Sequence, residues 1–141
     1  GPYISALAPI VWQLIKDRDP KAVGAYVDPG HMLAEGGLSG WKMGLDLLRE
    51  RIALVAVKDM AWKMVKRNDR EKPEQEQQMV PLSQGIVPWR QVFECLRQIG
   101  FDGWLSVHSE YQGAHSWRYL TTQEVIAQTQ EDLKYLRAVS S

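Results

Sequence analysis

The chain has 141 residues, about one ordinary domain. Its 17 Lys and Arg balance 17 Asp and Glu, and 45% of the residues are hydrophobic. That composition supports a core and argues against nucleic-acid binding, which needs a concentrated basic surface. Cys95, the single cysteine, excludes an internal disulfide, and no apolar stretch reaches the roughly 18 residues of a membrane span. No basic leader with a cleavage site opens the sequence, so the expectation is a cytoplasmic protein with no membrane partner.

Ser5 is placed to cap a first helix whose apolar positions Leu7, Ile10, Val11, Leu14 and Ile15 recur near every 3.6 residues. Pro20 stops it, because the residue before proline is driven out of the helical region. Ala22 to Asp28 reads as a short strand, and the glycine-rich stretch from Asp28 to Gly37 as a loop. A second helix fits Ser39 to Arg51, with Trp41, Leu45 and Leu48 on one side. Ile52 to Asp59 is a nearly continuous apolar run, the pattern of a strand covered on both faces.

Met60 to Val87 is long, polar and rich in Gln and Glu, which predicts a lid, a binding loop or disorder. Within it Lys63, Lys66, Arg67, Arg70 and Lys72 are interrupted by Asp69 and Glu71. The run reads as a solvated loop or helix face, with an anion-binding patch as the alternative. Pro88 opens a third helix with a stripe of Trp89, Val92, Phe93, Leu96 and Ile99, and Cys95 as buried filler. Gly100 and Gly103 flank the turn into a third strand, Trp104 to Glu110. The last helix, Thr121 to Val139, opens on a Thr121-x-x-Glu124 capping box and turns Ile126, Thr129, Leu133 and Leu136 inward.

The order α-β-α-β-α-β-α, with helical crossovers, predicts an α/β fold of three parallel strands and four helices. Tight loops precede the strands and long polar ones follow them, and chemistry in such folds gathers on the latter. Strand alternation puts Gly24, Tyr26 and Asp28 on one face, as it does Ile52, Leu54, Ala56 and Lys58, and Trp104, Ser106, His108 and Glu110. The opposite, fully apolar set then meets the helices. Asp28, Lys58 and Glu110 fall at one rim.

Two carboxylates converging there repel unless a positive charge stands between them or one is protonated. A hard divalent cation supplies that charge, with His31 as a softer ligand or a substrate contact. The alternative gives each acid a local partner: Asp28 capping the turn at Gly30, and Glu110 pairing with Arg118. His108 is either a satisfied interior histidine or a donor to Glu110.

Four segments, "GAYVDPGHMLAEGG", "ALVAVKDMAWK", "VPLSQGIVPWRQVFECLRQIGFDGWLSVHSEY" and "EDLKYLRAV", together resemble the C-terminal part of the sugar phosphate isomerase/epimerase superfamily, the xylose-isomerase-like TIM barrels. The resemblance implies a partial (β/α)8 barrel across residues 1–141, with strands matching the sixth to eighth. It also implies one divalent ion (Mn, Mg or Co), held by Glu, Asp, His and Glu from strands five to eight. Asp28 and Glu110 match two of those metal ligands, and Glu110 also the catalytic acid/base. His31 matches the histidine that contacts substrate. Ala56 stands where the strand-seven ligand belongs, and an alanine cannot ligate. Lys58 is then left to hold a substrate oxygen or anion, and Trp62 and Lys63 stand where some epimerases place a substrate-binding arginine. "PLSQG" (Pro81 to Gly85) resembles a family loop and reads as loop geometry. Trp62, Trp41 and Tyr111 are candidates to enclose substrate, although packing accounts for any one of them.

A complete barrel needs about 250 residues. The resemblance therefore implies a sugar or polyol isomerase or epimerase whose N-terminal half-barrel, or a second copy of the chain, covers the exposed sheet edges. The fragment itself is expected to be inactive. A degenerate relative that binds a ligand or partner without turnover is the main alternative. A metal-dependent nuclease of the abasic-site type, which shares the barrel, is disfavoured by the zero net charge.

Overall fold

A computed structural model describes residues 7–37, 39–66, 70 and 72–141. Ser5, Arg67, Asp69 and Glu71 lie outside the described residues, so the predicted helix cap and part of the basic run do too. The elements in order are α1 (Ala8–Ile15), β1 (Ala25–Val27), α2 (Pro29–Gly36), α3 (Gly40–Leu48), β2 (Ile52–Val57), β3 (Asp59–Val65), β4 (Glu74–Val80), α4 (Trp89–Gln98), β5 (Trp104–Val107) and α5 (Thr122–Ser140).

Three strands form a parallel sheet in the order β1-β2-β5, with Tyr26 opposite Leu54, Val27 opposite Val55, and Val57 opposite Val107. The expected partial (β/α) barrel arrangement is present. The apolar strand residues Val27, Val55 and Val57 are fully buried, packed with Met32, Leu45, Leu48, Trp89, Val92 and Leu96 of the helices. The other sheet face is open on the outer strands, where Tyr26 is 44% and Trp104 81% exposed, while Ile52 and Ala56 of the central strand are buried; on the helix-facing set, Leu105 is exposed rather than packed. The unequal burial of the two faces follows from period-2 alternation in a sheet whose helices lie on one side. Among the described residues no helix is long and apolar enough to cross a membrane.

Two segments depart from the sequence reading. Pro29–Gly36 is a helix, not a loop. Asp28 caps it in extended conformation, accepting the backbone N–H of His31 at 3.0 Å, and Pro29 occupies the first turn, where its missing N–H costs nothing. The second departure lies in Met60–Val87, expected as a structureless lid, binding loop or disorder, where β3 and β4 instead pair as an antiparallel ladder. Trp62 faces Gln77 and Lys63 faces Glu76 across it, and opposite charges in facing positions favour the pairing. The segment Gln112–Arg118 is tied on by Met79 N–H to the His115 carbonyl (2.7 Å) and Trp117 N–H to the Met79 carbonyl (2.9 Å).

Two helix faces are also corrected. In α1 the buried positions are Ala8 and Ile15, while Leu7, Ile10 and Leu14 are exposed. In α5 the capping box forms in both halves, but Ile126 and Leu133 are exposed and Asp132, Leu136 and Val139 are buried. The inward face of the helix is thus centred on Asp132 rather than on Ile126 and Leu133. The Asp132 carboxylate accepts from the Tyr111 hydroxyl (2.5 Å), the Leu82 N–H (3.2 Å) and the Gln128 amide (3.1 Å). Tyr111 and Trp41 are both buried, so neither encloses a substrate. Cys95 is buried in α4, as expected.

A second buried acid fixes the connection from β4 to α4. Asp59 accepts the N–H groups of Met60 (2.8 Å), Ile86 (2.9 Å) and Val87 (3.1 Å) on one oxygen and the Trp89 indole (2.9 Å) on the other. Gly85 lies so close that a Cβ there would stand 1.9 Å from the Asp59 carboxyl carbon. The glycine of "PLSQG" is thus required by that close approach, in keeping with the loop-geometry reading.

Candidate active site

The three parallel strands end together, and the first residues beyond them carry the polar groups. Asp28 follows β1, Lys58 follows β2, and His108 and Glu110 follow β5. The His108 N–H donates to the Val57 carbonyl at 2.9 Å, which carries the β2–β5 ladder past the formal strand end and holds this segment in register.

Lys58 stands between the two acids. Its ammonium lies 3.2 Å from Glu110 Oε1 and 3.6 Å from Asp28 Oδ2. The Lys58 side chain is 12% exposed and that of Glu110 40%, so the lysine is the enclosed partner and the glutamate the accessible one. Asp28 serves two roles: Oδ1 caps α2 through the His31 N–H, and Oδ2 faces Lys58 and, at 3.8 Å, His31 Nε2. The local cap and the shared rim therefore coexist. Glu110 pairs with Lys58 and His108 rather than with Arg118.

His31 and His108 are each held by a partner on one ring nitrogen. His31 Nδ1 lies 3.0 Å from Glu35 Oε1, one turn along α2. When Nδ1 carries the proton, toward Glu35, Nε2 is the acceptor nitrogen of the ring. His108 Nε2 lies 2.6 Å from the Tyr26 hydroxyl, and its Nδ1 3.5 Å from Glu110 Oε1. If the phenol donates, His108 Nδ1 carries a proton toward Glu110. His108 has its partner in Tyr26, and its Nδ1 stands beside Glu110.

The structure thus brings together Asp28, His31, Lys58, His108 and Glu110. Trp62 is half exposed on β3, and among the described residues it makes no hydrogen bond to this group. Tyr26 and Glu35 had not been assigned to the site. Tyr26 was legible from its shared face with Asp28, whereas Glu35 was hidden by reading α2 as a loop.

The donor set fits a divalent ion poorly. Among the described residues no three His, Cys, Asp or Glu side chains gather to hold one. Ala56, where the resemblance implies a further ligand, is a buried methyl, and the space between the two acids is spanned by an ammonium. Ligand oxygens must approach such ions to about 2.0–2.6 Å, and a lysine already in contact with both carboxylates opposes that.

The fold is shared with solved structures. A xylose isomerase domain protein from Planctomyces limnophilus superposes with a TM-score of 0.59 at 22% identity, covering 92% of this chain and 41% of its own. A D-psicose 3-epimerase from Clostridium cellulolyticum H10, solved with D-tagatose, gives a TM-score of 0.63 at 16% identity, covering 96% and 44%. The chain therefore spans about two fifths of the length of each. None of the curated proteins matches it in sequence. The model of the xylose isomerase-like TIM barrel matches residues 8–139, nearly the whole chain, and the chain belongs to that family.

Proposed function

We propose that this chain is the C-terminal part of a sugar or polyol isomerase or epimerase, and that its strand-end rim holds and deprotonates the substrate. The observation that carries the reading is the convergence of Asp28, Lys58 and Glu110 at the C-terminal ends of three parallel strands, with His31 and His108 beside them. In this family's barrel, chemistry is done at that end.

Glu110 is the proton-transfer group. Its Oε1 is shared by Lys58 and His108, which leaves Oε2 to take a proton from the carbon next to a carbonyl. Lys58 and His31 Nε2 hold substrate oxygens, the former where negative charge develops as that proton leaves. Trp62 offers an exposed apolar face to the sugar. A second acid from the N-terminal half-barrel returns the proton on the other side. That half also covers the free edges of β1 and β5, and the cytoplasm is the natural setting. The 141 residues alone are inactive on this reading.

The test is solvent-deuterium exchange into ketohexoses, followed by NMR, with the native protein that carries this chain. Glu110→Gln should reduce exchange by about 10²–10⁴-fold while leaving the circular dichroism unchanged. Exchange that survives the substitution would remove Glu110 from this role. Ala56 favours a second reading, a relative that binds sugar without turnover. It predicts ketohexose binding with no exchange in the unsubstituted protein.

A further inference from the structure

We propose that the Lys58 ammonium is the resident cation of this site, taking the place of a divalent metal, so that the site assembles and binds its sugar without one. The inference rests on the sugar-site reading above and extends it to the electrostatics of the pocket. Four observations carry it. The ammonium contacts both acids that would be metal ligands, at 3.2 Å and 3.6 Å. The lysine is mostly enclosed, at 12% side-chain exposure, and an enclosed charge keeps its partners. The central strand offers the Ala56 methyl rather than a third donor. Finally, one oxygen of each acid is already engaged: Asp28 Oδ1 on the α2 cap, and Glu110 Oε1 between Lys58 and His108.

An ammonium can serve where a metal would. It balances two carboxylates that otherwise repel, and it has three N–H donors. Glu110 takes one and Asp28 lies near enough to orient a second, which leaves one for a ligand oxygen. The ligand this favours is an uncharged hydroxy-carbonyl compound, whose oxygen accepts a hydrogen bond.

The experiment titrates Mn²⁺ into the EDTA-stripped native protein, reading free Mn²⁺ by EPR, and measures D-fructose binding by calorimetry with and without EDTA. The unsubstituted protein should take up Mn²⁺ only in the millimolar range, and sugar binding should be indifferent to EDTA. Lys58→Met should tighten Mn²⁺ about tenfold or more, by freeing two carboxylates. Lys58→Arg, which keeps the charge, should not. A single tight Mn²⁺ in the unsubstituted protein, released by Asp28→Asn, would overturn the inference. So would sugar binding that requires Mn²⁺, or a folded Lys58→Met protein with unchanged Mn²⁺ affinity. If no ketose binds under any condition, the sugar-site reading fails, while the Mn²⁺ titrations still decide whether Lys58 is the cation.

Discussion

Asp28 and Glu110 at the rim, and Asp59 and Asp132 in the interior, are the same functional group in opposite surroundings. The rim pair shares one lysine, and the Glu110 side chain stays 40% exposed. The interior pair is held by donors that cannot leave: three backbone N–H groups and an indole on Asp59, and a backbone N–H, a phenol and an amide on Asp132. Together the interior acids clamp the segment from Leu82 to Trp89 at both ends. A carboxylate satisfied by the backbone fixes a loop, whereas one satisfied by a side-chain cation with an oxygen to spare can exchange its partner for a ligand. The contrast separates acids that fix a loop from acids free to meet a ligand, without reference to motif.

The largest effect that tests the contrast is Asp59→Ala. It strands three buried donors (the N–H groups of Met60 and Val87 and the Trp89 indole), while the Ile86 N–H keeps the Met60 carbonyl, and should cost about 3–5 kcal/mol, read from urea unfolding of the native protein. A cost near zero would mean the clamp is not structural. The same residue gives a pH signature. Burial pushes the Asp59 carboxyl up from 3.8 to about 6, although its four donors pull the other way. A raised acid is favoured protonated in the fold, so its contribution is full below the unfolded value and is lost as pH rises through about 6. The penalty of Asp59→Ala should therefore be larger at about pH 4 than at about pH 7, by about 1–3 kcal/mol. A penalty that is flat with pH would place the carboxylate's charge elsewhere in the energetics.

Tyr111→Phe comes next. Burial, followed by its bond to Asp132, raises the Tyr111 hydroxyl well above the usual phenol range, so the group is a permanent donor. Its removal leaves Asp132 with two partners and should cost about 1–2 kcal/mol in unfolding free energy. Exchange in the ketohexose assay should be unaffected, because Tyr111 is buried with its hydroxyl turned to Asp132.

The rim was far more legible in the sequence than the clamp. Alternation along three apolar runs was enough to gather Asp28, Lys58 and Glu110 at one end, and the structure keeps them there. Asp59 and Asp132 carry no such local signal, because most of their partners lie far along the chain: Ile86, Val87 and Trp89 for Asp59, and Leu82 and Tyr111 for Asp132. Helix α2 was misread because Pro29 and Gly30 punctuate loops as readily as they open a helix after an Asp cap. The β3–β4 ladder was misread because Gln and Glu are poor strand formers. Cross-strand pairing and the tie from Met79 to His115 and Trp117 supply what propensity lacks.

The smallest stability effect belongs to Glu110, and there the contrast is sharpest. Glu110→Gln removes one charge from a partly exposed ion pair, which solvent screens, and should change unfolding free energy by about 0–1 kcal/mol. The amide can still accept from Lys58, so the lysine does not lose its bond. If the substitution instead costs as much as Asp59→Ala, Glu110 is a third structural acid and the distinction between rim and interior collapses. If stability is nearly unchanged while ketohexose exchange is lost, the carboxylate is present for chemistry alone. In that case Lys58, which remains paired with Asp28, keeps the rim assembled without it.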